Sequence, residues 1–123
     1  MSLRFDTIVI DAHDPEALGR WWGELLGWPV DVEEPGEEVV ITPPEGVRAT
    51  ELLFVSDPED KRVKNRLHLN LRPDDQAAEV ALAEALGATR VDIGQGEQTW
   101  VVLADPEGNE FCILRALPPD GAS

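Results

Sequence analysis

The sequence predicts an α+β fold in which two tandem βαβββ modules form a cupped, mixed β-sheet with the helices packed on the outside. Three observations predict this fold: an internal repeat, hydrophobic periodicity that switches between strand and helix spacing, and glycine and proline at the boundaries. Thr7 to His68 and Asp14 to Asp75 are each separated by 61 positions, and a Leu-Gly pair recurs at an offset of 60. A nearly constant offset indicates duplication of one structural unit.

Module one, residues 1–56, is predicted to begin with a strand over 3–10, whose apolar residues indicate burial on both faces or nearly so. Asp14 is a good N-cap and Pro15 suits the first helical turn, so a helix follows and ends at Gly27. The core-facing residues of this helix recur at helical spacing: Leu18, Trp21, Trp22, Leu25 and Leu26. Three strands separated by proline- and glycine-containing turns complete the module: 28–33, 38–42 and 50–55.

Module two, residues 66–117, repeats that order. Its first strand, 66–72, alternates strictly, with one face formed by Leu67, Leu69 and Leu71 and the other by His68, Asn70 and Arg72. A helix capped by residues 73–75 and ended by Gly87 follows. The predicted core face of this helix is Ala78, Ala81, Leu82, Ala85 and Leu86. The last three strands are 89–93, 99–103 and 110–114, with a type I turn at 105–108.

Composition restricts the class of protein. The 123 residues fit one domain spanning 1–123, and the polar segment 56–65 is too short to separate independent domains. A net charge of −15 argues against nucleic acid and membrane surfaces as partners, and no apolar run is long enough to cross a bilayer. Cys112 is the only cysteine, which excludes an internal disulfide. A cytoplasmic location is therefore expected.

The four basic residues between positions 61 and 66 form the only basic cluster of the acidic chain. Two interpretations are open: attraction of an anionic substrate, or neutralisation of the neighbouring acids Glu59 and Asp60. The second is the simpler prediction.

Two motifs point to a known family. Leu-Gly-Trp at 26–28 and Asp-Pro-Glu-Gly-Asn at 105–109, within the duplicated layout, resemble the vicinal oxygen chelate superfamily, which includes glyoxalase I, extradiol dioxygenases and bleomycin-resistance proteins. More narrowly, residues 64–71 and 105–113 are similar to the glyoxalase-like domain group. The resemblance covers almost the whole chain. It implies a cup that binds a small molecule, and a homodimer, since members often pair and sheet edges are exposed.

The resemblance also implies four site positions, one near the start of each module and one in each final strand. These positions match Thr7, Glu51, His68 and Cys112, although an offset of two residues would place Leu53 in the position given to Glu51. In metal-dependent members they hold a divalent ion, but here only Glu51 and His68 keep typical ligand chemistry. Two poor ligands out of four should lower metal affinity severely.

The remaining site predictions follow from the residues themselves. Asn70 and Arg72 share a strand face with His68, and Trp100 lies in a central strand where it could form an aromatic wall. Glu51 and His68 are the candidate acid–base residues, with Thr7, Asn70, Arg72, Trp100 and Cys112 as substrate contacts. Alternatives stay open: Glu51 could be a solvated strand-edge residue, and Cys112 a small buried apolar side chain.

The leading functional prediction is a glyoxalase-like, small-molecule-binding protein without tightly held metal or other cofactor. The alternative is a divalent-metal-dependent lyase, isomerase or dioxygenase that uses Glu51, His68 and Cys112 to polarise the oxygens of a small substrate. A pure dimerisation or regulatory module is a third class, and it predicts no ligand-induced stabilisation.

Overall fold

A computed structural model describes residues 3–92, 94, 96 and 98–118. The chain divides into two compact units, with the boundary between Asp60 and Lys61. Each unit contains one four-stranded mixed sheet and one α-helix, as the βαβββ repeat predicts. Within the described ranges, neither helix has the length and apolar character that crossing a bilayer requires.

Unit one, the part of the chain up to Asp60, has its strands in the order β1-β4-β3-β2. Its elements are β1 (Thr7–Ala12), α1 (Pro15–Leu26), β2 (Val30–Glu34), β3 (Glu38–Ile41) and β4 (Glu51–Ser56). Strand β1 runs parallel to β4, and the other two pairs are antiparallel. The sheet therefore has β1 and β2 at its edges.

The bounds of α1 confirm the predicted caps. The Asp14 side chain accepts a 3.1 Å hydrogen bond from the backbone N–H of Ala17, which satisfies a donor that the first helical turn leaves without a partner. Gly27 follows the last turn with a φ of 73°, a left-handed conformation that glycine adopts without steric cost.

Two helical glycines let α1 lie close against one face of its sheet. A Cβ on Gly19 would come within 2.7 Å of Val39 Cγ1, and one on Gly23 within 2.5 Å of Val30 Cγ2. Trp22, only 2% exposed, is buried on the same helix. The helix therefore covers the sheet face that carries Val39 and Val30.

The predicted first strand was too long, and its predicted burial was wrong. Strand β1 begins at Thr7, and Leu3 and Phe5 before it are 98% and 88% exposed. Val9 within the strand is 57% exposed. Val9 is in register with Leu53 and Val40, on the sheet face opposite α1, so the helix does not cover it, and apolar composition alone does not reveal this.

Unit two, from Lys61 onward, has the equivalent strand order β5-β8-β7-β6. Its elements are β5 (Leu69–Leu71), α2 (Gln76–Ala85), β6 (Thr89–Arg90), β7 (Val101–Ala104) and β8 (Glu110–Ile113). Strand β5 is parallel to β8, and β6-β7 and β7-β8 are antiparallel. Both units thus have the same topology.

The first strand of unit two is also shorter than predicted. The alternating segment 66–72 forms a strand only over Leu69–Leu71, and Leu67 is 90% exposed, whereas Leu69 and Leu71 are half-buried. Strand β6 covers only the beginning of the predicted 89–93 segment, and Ile93 lies outside the described residues. An alternating pattern shows which residues share a face but not how far a pairing strand extends.

The buried face of α2 differs from the predicted one. Asp75 caps the helix as expected, through a 3.1 Å hydrogen bond from the Ala78 N–H. The buried residues, however, are Val80 and Ala83, whereas Leu82 is 41% exposed. The rest of the predicted face is exposed or half-buried: Ala78, Ala81, Ala85 and Leu86. Alanines lie on all sides of this helix, so the difference in hydrophobicity between its faces is too small to predict which face is buried.

The predicted turn before the last strand is confirmed. The Gly108 N–H donates to the Asp105 carbonyl at 2.8 Å, which closes the turn. The Asp105 carboxylate, in a residue only 4% exposed, accepts from the N–H groups of Glu107 and Asn109, each at 2.9 Å. This network holds the entry into β8.

Candidate functional site

The sheet face of unit one opposite α1 carries Thr7 and Glu51. Residues alternate between the two faces of a strand, so Val39 and Phe54 lie under the helix whereas Val40 and Leu53 lie on the other side. On the face opposite α1, the strand register arranges the side chains in three rows. The register gives the rows Thr7 and Glu51; Val9, Leu53 and Val40; and Asp11, Val55 and Glu38. Thr42, the residue after β3, joins the first row through its hydrogen bond to Glu51. A polar row therefore lies beside an apolar one.

Glu51 is half-buried at the start of β4. Its Oε2 accepts a hydrogen bond from Thr42 Oγ1 at 3.4 Å, which is long for an O–H donor. Thr7, directly across from Glu51 in β1, donates from Oγ1 to Asp6 Oδ2 at 3.0 Å. Within the described part of the chain, no Lys, Arg or His forms an ion pair with Glu51. The carboxylate thus has weak internal partners.

His68 and Asn70 lie in unit two, on either side of the start of β5. His68 precedes the strand and is exposed, and the exposed Asn70 is in register with Cys112 of β8. The 61-residue offset makes Val9 the counterpart of Asn70 in unit one, and Val9 is in register with Leu53. Leu53, rather than Glu51, is therefore the counterpart of Cys112. The two-residue offset that the sequence left open is the one that the pairing favours.

The other predicted contacts of unit two are more dispersed. Arg72 donates from Nη1 to the Arg115 carbonyl at 2.7 Å, so this guanidinium already holds the backbone after β8. Trp100 is half-buried and lies one residue before β7. Its place outside the strand means that strand alternation does not assign it to a face.

Cys112 is buried, with 4% exposure. Burial raises the pKa of its thiol, and the nearby Lys64 ammonium offsets part of that rise. The thiol is therefore protonated at neutral pH, and a protonated thiol is a poor nucleophile and metal ligand.

Glu110, which was not among the predicted site residues, occupies in unit two the position that Glu51 occupies in unit one. Glu110 begins β8, and extending the β5-β8 register back by one residue places it across from His68, as Glu51 lies across from Thr7. Glu110 lies two residues before Cys112, so both side chains lie on the same face of the predicted strand, and this spacing could have identified Glu110 from the sequence. The side chain is only 11% exposed.

Two groups from the segment before β5 hold the Glu110 carboxylate. Lys61 Nζ lies 2.9 Å from Oε2, and the Asn65 N–H donates to Oε1 at 2.8 Å. Burial alone would raise the pKa of Glu110, but the Asn65 N–H and the Lys61 ammonium together lower it below its ordinary value. The Glu110 carboxylate is thus charged and paired.

This pairing corrects the interpretation of one member of the basic cluster, Lys61. The Lys61 ammonium does not neutralise Glu59 or Asp60 beside it, but Glu110, 49 positions later. Asp60 instead lies 3.6 Å from His13 Nδ1. Neighbours in sequence were the wrong partners because the chain folds residues 61–65 back toward β8.

The donor set does not fit the divalent metal that the family resemblance implies. Among the residues that the structure describes, no three His, Cys, Asp or Glu side chains are grouped closely enough to hold an ion. The thiol of Cys112 is protonated, and Lys61 occupies the carboxylate of Glu110. Three or four ionised or imidazole ligands are usual for such a site.

Comparison with known proteins places the fold in a family. Residues 7–114 match the family model of the glyoxalase-like domain. No curated protein matches the sequence.

Solved structures share the fold at low sequence identity. A glyoxalase/bleomycin resistance protein/dioxygenase family enzyme from Burkholderia phytofirmans is 19% identical, with a TM-score of 0.71, and covers 91% of this chain and 98% of its own. An antibiotic-binding protein from Streptomyces sp. is 19% identical, with a TM-score of 0.64, and the match covers 95% of this chain and 99% of the Streptomyces chain. A bleomycin resistance determinant encoded on transposon Tn5 is 15% identical, with a TM-score of 0.62, and the match covers 94% of this chain and 100% of the determinant.

The family match covers both βαβββ units, and the solved structures repeat their fold over most of each chain. The chain therefore belongs to the glyoxalase-like domain family of the vicinal oxygen chelate superfamily.

Proposed function

We propose that this protein binds a small molecule and does so without a firmly held metal ion. The observation that carries the proposal is the face of unit one opposite α1, where Thr7, Glu51 and Thr42 lie beside the apolar row of Val9 and its neighbours. A few polar groups set against apolar surface are typical of small-molecule sites. Partial exposure of these side chains supports access by a ligand.

Three residues of unit two, His68, Asn70 and Cys112, are the corresponding candidates for ligand contact. His68 is exposed, and the two nitrogens of its imidazole can donate and accept hydrogen bonds. Cys112 contributes a neutral, weakly polar surface. Glu51 and His68 remain the candidates for proton transfer if the bound molecule reacts.

Sequestration is the role that we favour. Two proteins of the same fold are described as an antibiotic-binding protein and a bleomycin resistance determinant, and both names refer to capture or resistance rather than turnover. The absence of a three-ligand group in the described residues supports binding over metal-dependent lyase, isomerase or dioxygenase chemistry. A cytoplasmic setting, supported by the unpaired Cys112, belongs to the same proposal.

We also propose that the protein forms a homodimer. Exposed apolar side chains, Leu3 and Phe5, precede the edge strand β1, and burial against a second copy would remove them from water. Sedimentation velocity measures the mass directly, and a monomer at micromolar concentration would contradict this part of the proposal.

Metal analysis and a ligand screen test the proposed function together. Protein purified without chelator should contain less than stoichiometric zinc, nickel or iron, and His68→Ala should not change that content. Stoichiometric metal that disappears in His68→Ala would instead establish the metal-dependent alternative. A thermal-shift screen of neutral, cationic and anionic small molecules should find at least one that raises the melting temperature. Failure of every compound would favour the dimerisation or regulatory module.

A further inference from the structure

The two units present the same carboxylate position with different internal partners. Glu51 is the first residue of β4 and Glu110 the first residue of β8, and both strands lie second in their sheets, parallel to the edge strand. Register places Glu51 across from Thr7, and the same register extended by one residue places Glu110 across from His68. The surroundings of two equivalent carboxylates can therefore be compared within one chain.

In unit two, the chain supplies its own cation. Lys61 Nζ donates to Glu110 Oε2 at 2.9 Å and also to the Val63 carbonyl, while the Asn65 N–H donates to the other carboxylate oxygen. The Lys61 side chain is 19% exposed and that of Glu110 is 11% exposed. This carboxylate is largely removed from water and its charge is balanced.

In unit one, the equivalent carboxylate has no such cation among the described residues. Within the part of the chain that the structure describes, Glu51 accepts a single hydrogen bond, at 3.4 Å from Thr42, and its neighbour Thr7 donates to Asp6 instead. A half-buried carboxylate on a sheet face gains free energy from a cationic partner, as Glu110 does from Lys61. A ligand can provide the cationic partner that the described residues do not give to Glu51.

We infer that Glu51 binds the ammonium group of a small amphipathic organic cation, which takes at Glu51 the place that Lys61 takes at Glu110. This inference rests on the proposed function and names the class of ligand for the same site.

The neighbouring row fits the apolar part of such a ligand. Val9, Leu53 and Val40 are in register with one another and lie two residues along the strands from Glu51, about 6.6 Å away at the usual rise. A six-carbon chain attached to the ammonium group is long enough to cross this row. Val9 is 57% exposed, so the row has apolar surface to offer.

The overall charge favours a cation as well. At −15, the protein attracts positive ligands and repels negative ones, and this long-range effect weakens as salt increases. The long-range effect does not depend on Glu51 in particular. The experiment must therefore separate one carboxylate from the total charge.

The test uses a matched series of probes: hexylammonium, hexanol and hexanoate. Backbone amide shifts in ¹⁵N-labelled protein give the dissociation constant of each and locate its contacts. Hexylammonium should bind at least about tenfold more tightly than the other two, because a hydrogen bond to a charged group is worth a factor of about ten or more. The largest shifts should fall at residues 7–9, 40–42 and 51–53.

Two variants of equal charge separate the local from the long-range effect. Glu51→Gln should weaken hexylammonium at least about tenfold, whereas Glu24→Gln, on the exposed surface of α1, should change it less than about twofold. Equal weakening by both variants would show that total charge alone attracts the probe and would overturn the inference. Circular dichroism checks that each variant is folded.

A third variant copies the pairing of unit two. Thr42→Lys places an ammonium next to Glu51, whose Oε2 lies 3.4 Å from the present hydroxyl, and it should abolish hexylammonium binding. Undiminished binding in folded Thr42→Lys would count against the Glu51 contact, and if this variant fails to fold, the Glu51→Gln and Glu24→Gln pair decides. Preference for hexanoate or hexanol, or no binding of hexylammonium, would overturn the cation assignment. The proposed function has separate tests: it would fail if no compound in the thermal-shift screen bound, or if the metal analysis found stoichiometric metal that His68→Ala removes.

Discussion

Replacing Glu110 with glutamine removes the charge that holds residues 61–65 against β8 while keeping the size of the side chain. The carboxylate is only 11% exposed, lies 2.9 Å from Lys61 Nζ and accepts a second bond from the Asn65 N–H at 2.8 Å. An amide oxygen can still accept from one of these donors, but the Lys61 ammonium, 19% exposed, loses its counter-ion. The variant should therefore be less stable.

The magnitude lies between two known limits. Exposed ion pairs contribute about 0–1 kcal/mol, and loss of one partner from a fully buried pair costs about 3–5 kcal/mol. For this mostly buried pair with charged hydrogen bonds, we expect a loss of about 2 kcal/mol in the free energy of unfolding. For a chain of this length, that loss lowers the melting temperature by roughly 6–10 °C.

The pH dependence gives the prediction a second readout. Because folding lowers the pKa of Glu110, its contribution to stability is complete above the ordinary glutamate value of 4.5 and is lost as the pH falls through the lower folded-state value. The stability difference between wild type and Glu110→Gln should thus be constant near neutral pH and shrink in acid.

Urea denaturation followed by tryptophan fluorescence and circular dichroism, from pH 7 down to acid, measures both effects. Glu84→Gln is the matched control, because Glu84 pairs with Arg90 at 3.3 Å in the same unit with side chains 42% and 62% exposed. The control should lose no more than about 1 kcal/mol. Equal losses for Glu110→Gln and Glu84→Gln, or a difference that persists unchanged in acid, would refute the reasoning.

Two further predictions concern packing. Gly19→Ala should destabilise the protein by about 1–3 kcal/mol, because its Cβ would lie 2.7 Å from Val39 Cγ1; denaturant unfolding measures this, and a stabilised variant would show that α1 is not held that closely. Cys112, 4% exposed with a raised pKa, should react with a thiol reagent at pH 7 at least about a hundredfold more slowly in the native protein than in urea, and comparable rates would contradict its burial.

Local chemistry explains which elements the sequence could predict. Asp14 and Asp75 cap their helices by accepting hydrogen bonds from the backbone N–H groups three positions later, and the turn after Asp105 closes over three residues. Such interactions depend on nearby positions, so spacing in the sequence is sufficient to find them. The family followed from the same local motifs together with the duplication.

The extent and burial of strands could not be predicted in the same way. Leu3, Phe5 and Leu67 read as core residues from their apolar character, yet they lie outside the strands and are at least 88% exposed. Burial depends on what lies across from a residue, and that information is in the tertiary fold. The buried face of α2 was missed for a related reason, since alanines offer no contrast between faces.

The candidate site shows why register matters more than spacing. Spacing alone matched Glu51 with Cys112, but strand pairing matches Leu53 with Cys112 and Glu51 with Glu110. Once the carboxylates are compared with each other, their difference becomes clear: one is neutralised by Lys61, and the other is half-buried with a single long hydrogen bond. Duplication produces two copies of a position, and among the described residues a cation from within the chain pairs with only one of them. The copy without it is the one at which a ligand can contribute the missing charge.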